Sequence, residues 1–242
     1  MHKQNNVRVA AGLEGYVERP GGKGSFPAVI VIMEAYGITG HIHKVCKRLA
    51  EAGFIALAPD HFHGEVIPYT DSPAAMAKIA TLRDEQLVKE VDQCLDWFDQ
   101  QPDVRKDTSG IIGFCMGGRL AFLSNCRLPA RLKAAVSFYG GAIAPAASPD
   151  RFGRIPPIGE AEKMLAPLFL GYGADDQGIS GDEHARIAKT LTDLKKRYVL
   201  SVYPGAGHAF LCEERQAFAP AVEPIAWREA IEFLHANLGC VI

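Results

Sequence analysis

Short β-branched runs alternate with amphipathic stretches along the chain, and that order constrains the fold to a mainly parallel central sheet with helices on both faces, a three-layer α/β sandwich. "AVIVIM" (28–33) is apolar throughout, as a strand buried on both faces must be. "HIHKVCKRLAEAG" follows as a helix closed by Gly53, and "FIALAPD" is the next strand, where Pro59 stops pairing. From His61 to about Leu82 the residues predict a loop with one short helix, an excursion long enough to cover part of a site. Leu87, Val88, Val91, Leu95 and Phe98 recur at helical spacing, which predicts a core-facing helix begun near Asp84. The strands "SGIIGF", "KAAVSFYG", "PLFLGYG" and "YVLSVYPG" then alternate with the helices "MGGRLAFLSNC", "DEHARIAKTLTDLKKR" and a last one from about Pro224 to Leu238. "VRVA" and "YVERP" predict a small antiparallel start, and the stretch 149–159 a loop. With no repeat, low-complexity tract or linker, residues 1–242 read as a single domain.

Bulk properties narrow the partners. The 242 residues are 48% hydrophobic, and 26 Lys+Arg face 28 Asp+Glu, a net charge of −2. That supplies no basic field, and no cluster of Lys/Arg interleaves with aromatics, so nucleic acid and anionic membrane are disfavoured against a small molecule. The N-terminus lacks a continuous apolar h-region and no later run approaches the ~18 residues of a membrane span, which predicts a cytoplasmic protein. Six cysteines without a C-x-x-C pair read as reduced thiols, since a chain of this size needs no disulfide framework.

One cysteine stands apart. Gly113-Phe114-Cys115-Met116-Gly117 has the form G-x-C-x-G at a strand-to-helix junction, the geometry of a nucleophile elbow. A residue held on so sharp a turn brings its neighbours into close approach, and glycine alone avoids the clash. The following helix aims its N-terminal amides and positive dipole end at the central side chain, which favours thiolate, the nucleophilic form. Strand-to-helix turns carry glycines for other reasons, and a cysteine there can also pack as a small hydrophobe, so the elbow alone does not decide.

The rest of the chain tips the balance. Asp175 and Asp176 in "GADD" follow one strand end, and His208 in "PGAGHAF" follows the next, in the order nucleophile, acid, histidine that doubly wound hydrolases use. Such carboxyl-edge junctions are where sites collect in a parallel sheet. A lone aspartate there is ordinarily a cap and a lone loop histidine solvated; both at the required junctions weaken the chance reading. Glu34 leaves "AVIVIM" at the same edge, in a loop placed to donate an amide to an oxyanion.

From "VIVIMEAYG" through "ALAPD", "GFCMGG", "SFYGG" and "GADD" to "GHAF", the chain resembles the dienelactone hydrolases (carboxymethylenebutenolidases) of the α/β-hydrolase fold. The resemblance implies a cysteine nucleophile, Cys115, with Asp176 and His208 completing the triad and Glu34 engaging the thiol. The G-x-x-D phase selects Asp176 over Asp175. It further implies oxyanion amides at Ala35 and Met116, a thioester intermediate and a small lactone or ester substrate with no cofactor; no metal is expected, and a monomer or small homo-oligomer is expected. Tyr36, Arg83, Tyr139 and Phe210 are the candidates for the substrate pocket. Family members that take dienelactone grip its carboxylate with arginines, one of them four residues past the histidine. Here that position is Cys212, which predicts a weaker preference for acidic substrates unless Arg83 or Arg215 fills the role.

Two other readings are less well served. Class I glutamine amidotransferases share a cysteine elbow but place their acid as H-x-E, whereas Ala209 and Phe210 follow His208. A hydrolase-fold binding or regulatory protein without significant turnover ordinarily has a broken triad, and this one is complete in sequence. The paired histidines of "HIHK" and "HFHG" (His41, His43, His61, His63) lack metal-binding spacing such as H-E-x-x-H, and the other cysteines read as small packing residues.

Overall fold

A computed structural model describes residues 5–147 and 149–239. Eight strands form one sheet: β1 (Asn6–Ala10), β2 (Leu13–Glu18), β3 (Phe26–Ile32), β4 (Ile55–Pro59), β5 (Val104–Phe114), β6 (Ala134–Phe138), β7 (Leu168–Gly173) and β8 (Tyr198–Tyr203). Their order is β1-β2-β4-β3-β5-β6-β7-β8; β1 and β2 pair antiparallel, as does β2 with β4, and every later pairing is parallel. The helices are α1 (Gly40–Glu51), α2 (Ser72–Thr81), α3 (Asp84–Gln100), α4 (Met116–Arg127), α5 (Gly181–Asp193) and α6 (Glu223–Leu238).

Chain order and handedness place the layers. The crossover from β3 to β4 steps one way across the sheet, whereas those from β4 to β5 and β5 to β6 step the other way. Right-handed connections therefore put α1 on one face and α3 and α4 on the opposite one. On the first face α6 lies beside α1, joined by Arg48 Nη1 to Glu223 at 2.5 Å and by His235 Nε2 to the Ala52 carbonyl at 2.9 Å. The central strands are sealed on both sides: Ala28 to Ile32 of β3 and Ala134 to Phe138 of β6 are fully buried. Among the described residues no helix is long and apolar enough to cross a membrane.

Three boundaries differ from the sequence reading. β5 begins at Val104 rather than Ser109, because its pairing with β3 jumps from Phe26↔Val104 to Ala28↔Ser109 across a bulge. Pro27, with no N–H to give a ladder, lies in the gap, and Asp107 turns at φ 55°. α5 stops at Asp193 instead of Arg197: Lys195 enters the left-handed region at φ 55°, and the Lys196 amide bonds back to the Leu191 carbonyl at 2.8 Å. The loop after β6 tightens at Pro157–Lys163 into a 3-10 turn.

Candidate active site

β3 is the strand from which the sheet grows in both directions, so its carboxyl end and that of neighbouring β5 open onto the crevice where sites form in such sheets. Glu34 leaves β3, Cys115 leaves β5, Asp176 follows β7 and His208 follows β8.

The elbow is strained and held. Cys115 sits at φ 57°, ψ −118°, which a residue with a side chain rarely adopts, and its amide donates to the Phe138 carbonyl at 3.0 Å. A Cβ at Gly113 would stand 2.0 Å from the Gly117 carbonyl oxygen, and one at Gly117 2.5 Å from that of Ile32. No side chain fits at either position, so the glycines that flank the cysteine are what let the turn close.

The turn aims Cys115 Sγ at His208, whose Nε2 lies 3.1 Å away, while His208 Nδ1 meets Asp176 Oδ2 at 2.8 Å. The other carboxylate oxygen of buried Asp176 accepts the Gly178 amide at 2.8 Å. Burial works against the Asp176 charge, but the hydrogen bond and charge of His208 and the Gly178 and Ile179 amides prevail and lower its pKa. For His208 burial again opposes the charged form; the negative charges and hydrogen bonds of Cys115 and Asp176 outweigh it and raise the pKa. Tyr139 at φ 40° and Ala209 at φ 65° add backbone strain on either side.

In front of this row lies a cavity of about 820 Å³. Ala35 and Met116 line it, and among the described residues neither amide has a hydrogen-bond acceptor. Tyr36, Met76, Ile79, Phe152 and Ile179 supply apolar wall. Four arginines of the wall differ in their pairing: Arg151 is exposed, with its guanidinium against Met76 Sδ and over the Phe152 ring and no carboxylate at ion-pair distance among the described residues. Arg119 makes two bonds to Asp84 at 2.8 and 2.9 Å and Arg154 meets Asp150 at 3.1 Å, so both are neutralised. Arg215 lies over the Tyr36 ring, 5.3 Å from its centroid, with no carboxylate at ion-pair distance among the described residues.

The structure thus gathers Cys115, Asp176, His208, Ala35, Met116 and Tyr36, but moves four of the sequence candidates. Glu34 is buried without touching the thiol: with Cys115 turned to His208, Glu34 Oε1 accepts from the Tyr139 hydroxyl at 3.3 Å. Its Oε2 has no partner among the described residues, and burial raises its pKa. Tyr139 and Phe210 lie wholly buried behind the cavity; the Tyr139 ring packs 5.3 Å from that of His208, and Phe210 packs 5.5 Å from Tyr139. They brace the histidine instead of lining the cavity. Arg83 is exposed at the N-cap of α3, outside the cavity; its neighbour Asp84 turns inward to Arg119.

Two supports had no sequence signal. Glu183, in the first turn of α5 where an acid ordinarily serves its own helix, accepts the Ile143 and Ala144 amides at 2.8 and 3.1 Å and pins the loop beside the cavity. Arg119 also holds the Ile155 carbonyl at 3.0 Å. Of the other thiols, Cys46, Cys94 and Cys126 are buried packing residues, as their positions in helices predicted, and Cys240 lies outside the described residues. Cys212 is different: it lies against Glu34. Of the paired histidines, His61 is buried against Glu90, its Nδ1 at 2.5 Å from the carboxylate.

Known proteins resemble this chain over nearly its whole length. The family model described as the dienelactone hydrolase family matches residues 13–238. A Bradyrhizobium sp. protein assigned as a 2-oxo-3-(5-oxofuran-2-ylidene)propanoate lactonase is 33% identical, covering 92% of this chain and 89% of its own. A Synechocystis sp. protein assigned as a carboxymethylenebutenolidase is 28% identical over 96% of this chain and 94% of its own. A crystal structure assigned as a dienelactone hydrolase from Klebsiella pneumoniae superposes with a TM-score of 0.83 at 28% identity, covering 92% of each chain. The chain belongs to the dienelactone hydrolase family and is a hydrolase acting on lactone or ester bonds.

Proposed function

We propose that the protein cleaves small lactones or esters through a thioester on Cys115. The carrying observation is the aligned row in which Cys115 Sγ, His208 and Asp176 stand 3.1 and 2.8 Å apart at the mouth of the cavity. The Cys115 thiolate attacks the carbonyl carbon, the carbon–sulfur bond forms, and the amides of Ala35 and Met116 receive the oxyanion. Collapse breaks the carbon–oxygen bond, and His208, having taken the thiol proton, returns it to the departing alkoxide or enolate. His208 then draws a proton from water, which attacks the thioester; the carbon–sulfur bond breaks, the acid is freed, and His208 returns the proton to the Cys115 sulfur. Asp176 keeps the imidazole oriented and balances its charge throughout.

Arg215 sets the substrate class in this reading. Arg151 and Arg215 both line the cavity without an ion-pair partner among the described residues, but Arg151 is exposed. Arg215 is partly buried over the Tyr36 ring and its charge reaches Glu34 beside the row, so Arg215 suits a substrate that carries its own carboxylate and supplies the charge that Cys212 does not. Glu34, buried next to Tyr139, lies close enough to His208 for their charges to interact, and its carboxyl helps decide when the thiol is ionised.

Mass spectrometry after rapid mixing with p-nitrophenyl acetate tests the nucleophile: an acetyl group should be found on the peptide containing Cys115, and Cys115→Ala should lose both adduct and turnover. Turnover that survives in Cys115→Ala would overturn the reading. For the anchor, Arg215→Ala should raise KM for a carboxylate-bearing lactone ~10-fold or more, equivalent to ~1.4 kcal/mol, while a neutral ester is unaffected.

A further inference from the structure

Behind the proposed catalytic row, three side chains from separate segments converge: Glu34 after β3, His41 on α1 and Cys212 in the loop after β8. One carboxylate oxygen, one imidazole nitrogen and the sulfur all lie within 4.8 Å of one another, and all three residues are buried. Two of the side chains carry an unpartnered atom: neither Glu34 Oε2 nor His41 Nε2 has a hydrogen bond among the described residues. Buried polar atoms cost free energy unless something satisfies them, and both residues that carry these orphans belong to the cluster with the Cys212 thiol.

We propose that Glu34, His41 and Cys212 form a binding site for a zinc-class divalent cation. One sulfur, one nitrogen and one oxygen donor are what zinc takes, whereas calcium and magnesium require oxygen donors throughout. Bonds of ~2.0–2.3 Å place tetrahedral ligands ~3.3–3.8 Å apart, so side-chain movements of about an ångström close the present set. Three protein ligands leave a fourth position for water. Cys212 would bind as thiolate, releasing its proton to solvent, and the Tyr69 hydroxyl 3.4 Å from its sulfur is placed to orient it. His41 also lines a second cavity, of about 380 Å³, separate from the substrate cavity, where Glu51, Glu213 and Glu223 are each balanced by a cation of the same wall, Lys47, Lys44 and Arg48. The charge of Arg215 near Glu34 opposes the cation. Occupancy would lock the Glu34 carboxyl behind the row and so slow turnover; that effect rests on the role proposed for Glu34, whereas binding itself does not.

Cobalt(II) titration of the reduced, metal-stripped protein tests the site. Wild type and Cys115→Ser should both develop a near-ultraviolet thiolate-to-cobalt charge-transfer band, and Cys212→Ser and Cys212→Ala should lack it with far-ultraviolet circular dichroism unchanged. Zinc affinity, measured against a chromophoric chelator, should fall at least ~10-fold in His41→Gln. The absence of a band in wild type would overturn the proposal. So would a band that persists without Cys212 and disappears without Cys115, since the metal would then sit on Cys115 and His208. Neither result depends on hydrolysis, so they leave the thioester reading to its own test.

Discussion

At the scale of single residues, burial separates two aspartates that stand side by side in the chain. Asp175 and Asp176 are adjacent, yet Asp175 is exposed and Asp176 is buried against His208. Asp176→Asn should lower kcat roughly 10³–10⁴-fold, because an amide favours the wrong imidazole tautomer, and Asp175→Asn should stay within about twofold of wild type in the same assay. His41 offers a second test. Burial depresses its pKa from 6.5 to about 4; Glu213 opposes that shift, and the charges of Arg48, Lys44 and Arg215 reinforce it. The unfolded chain binds this proton more readily, so His41 removes stability as pH falls from about 6.5 towards 4 and has no effect above that window. The full loss is about 3 kcal/mol. Glu34 next to it, with its pKa raised by burial, contributes with the opposite sign, so the comparison must be between variants. Urea midpoints measured across this range should decline less steeply in His41→Phe, whose ring can keep the edge contact that His41 makes with Phe114, than in wild type.

Two helix ends show at the scale of elements what could be read in advance. α1 closes where Gly53, at φ 90°, lets the Phe54 amide reach back to the Leu49 carbonyl, and glycine marks that stop in the sequence. α5 closes with the same geometry, but Lys195 occupies the left-handed position, so the sequence reading ran the helix on to Arg197. Lys195→Gly should therefore stabilise the protein by about 1 kcal/mol, seen as a rise of about 2–4 °C in Tm by calorimetry. The site divides the same way. Cys115 and His208 were legible because each follows a strand that its own residues declare, and because the glycines around the cysteine are locally required. The displacement of Arg83, the retreat of Tyr139 and Phe210 behind the cavity, and the pairing of Asp84 with Arg119 depend on contacts between distant elements. No spacing along the chain encodes those.

The molecule as a whole is built outward from β3. Cys115 springs from β5 in the middle of the sheet, and His208 from the loop after β8, which has a neighbour on one side only. Strands at an edge open more readily than those flanked on both sides. In rising urea, hydrolysis should fail before the far-ultraviolet signal does, and amide exchange should be faster in β8 than in β5; coincident transitions would show that the edge does not open separately. The same placement governs when activity arises during synthesis. Cys115 and His208 are 93 residues apart in the chain, an interval of roughly 5–20 s at ordinary elongation rates. Once β6 has followed, at Ala134–Phe138, the elbow can close beside β3 and β5, but until His208 is made the cysteine lacks the base proposed for it. On the proposed mechanism a half-made chain therefore carries only a dormant thiol, and hydrolytic competence arrives at once, when the loop after the last strand brings His208 to the elbow.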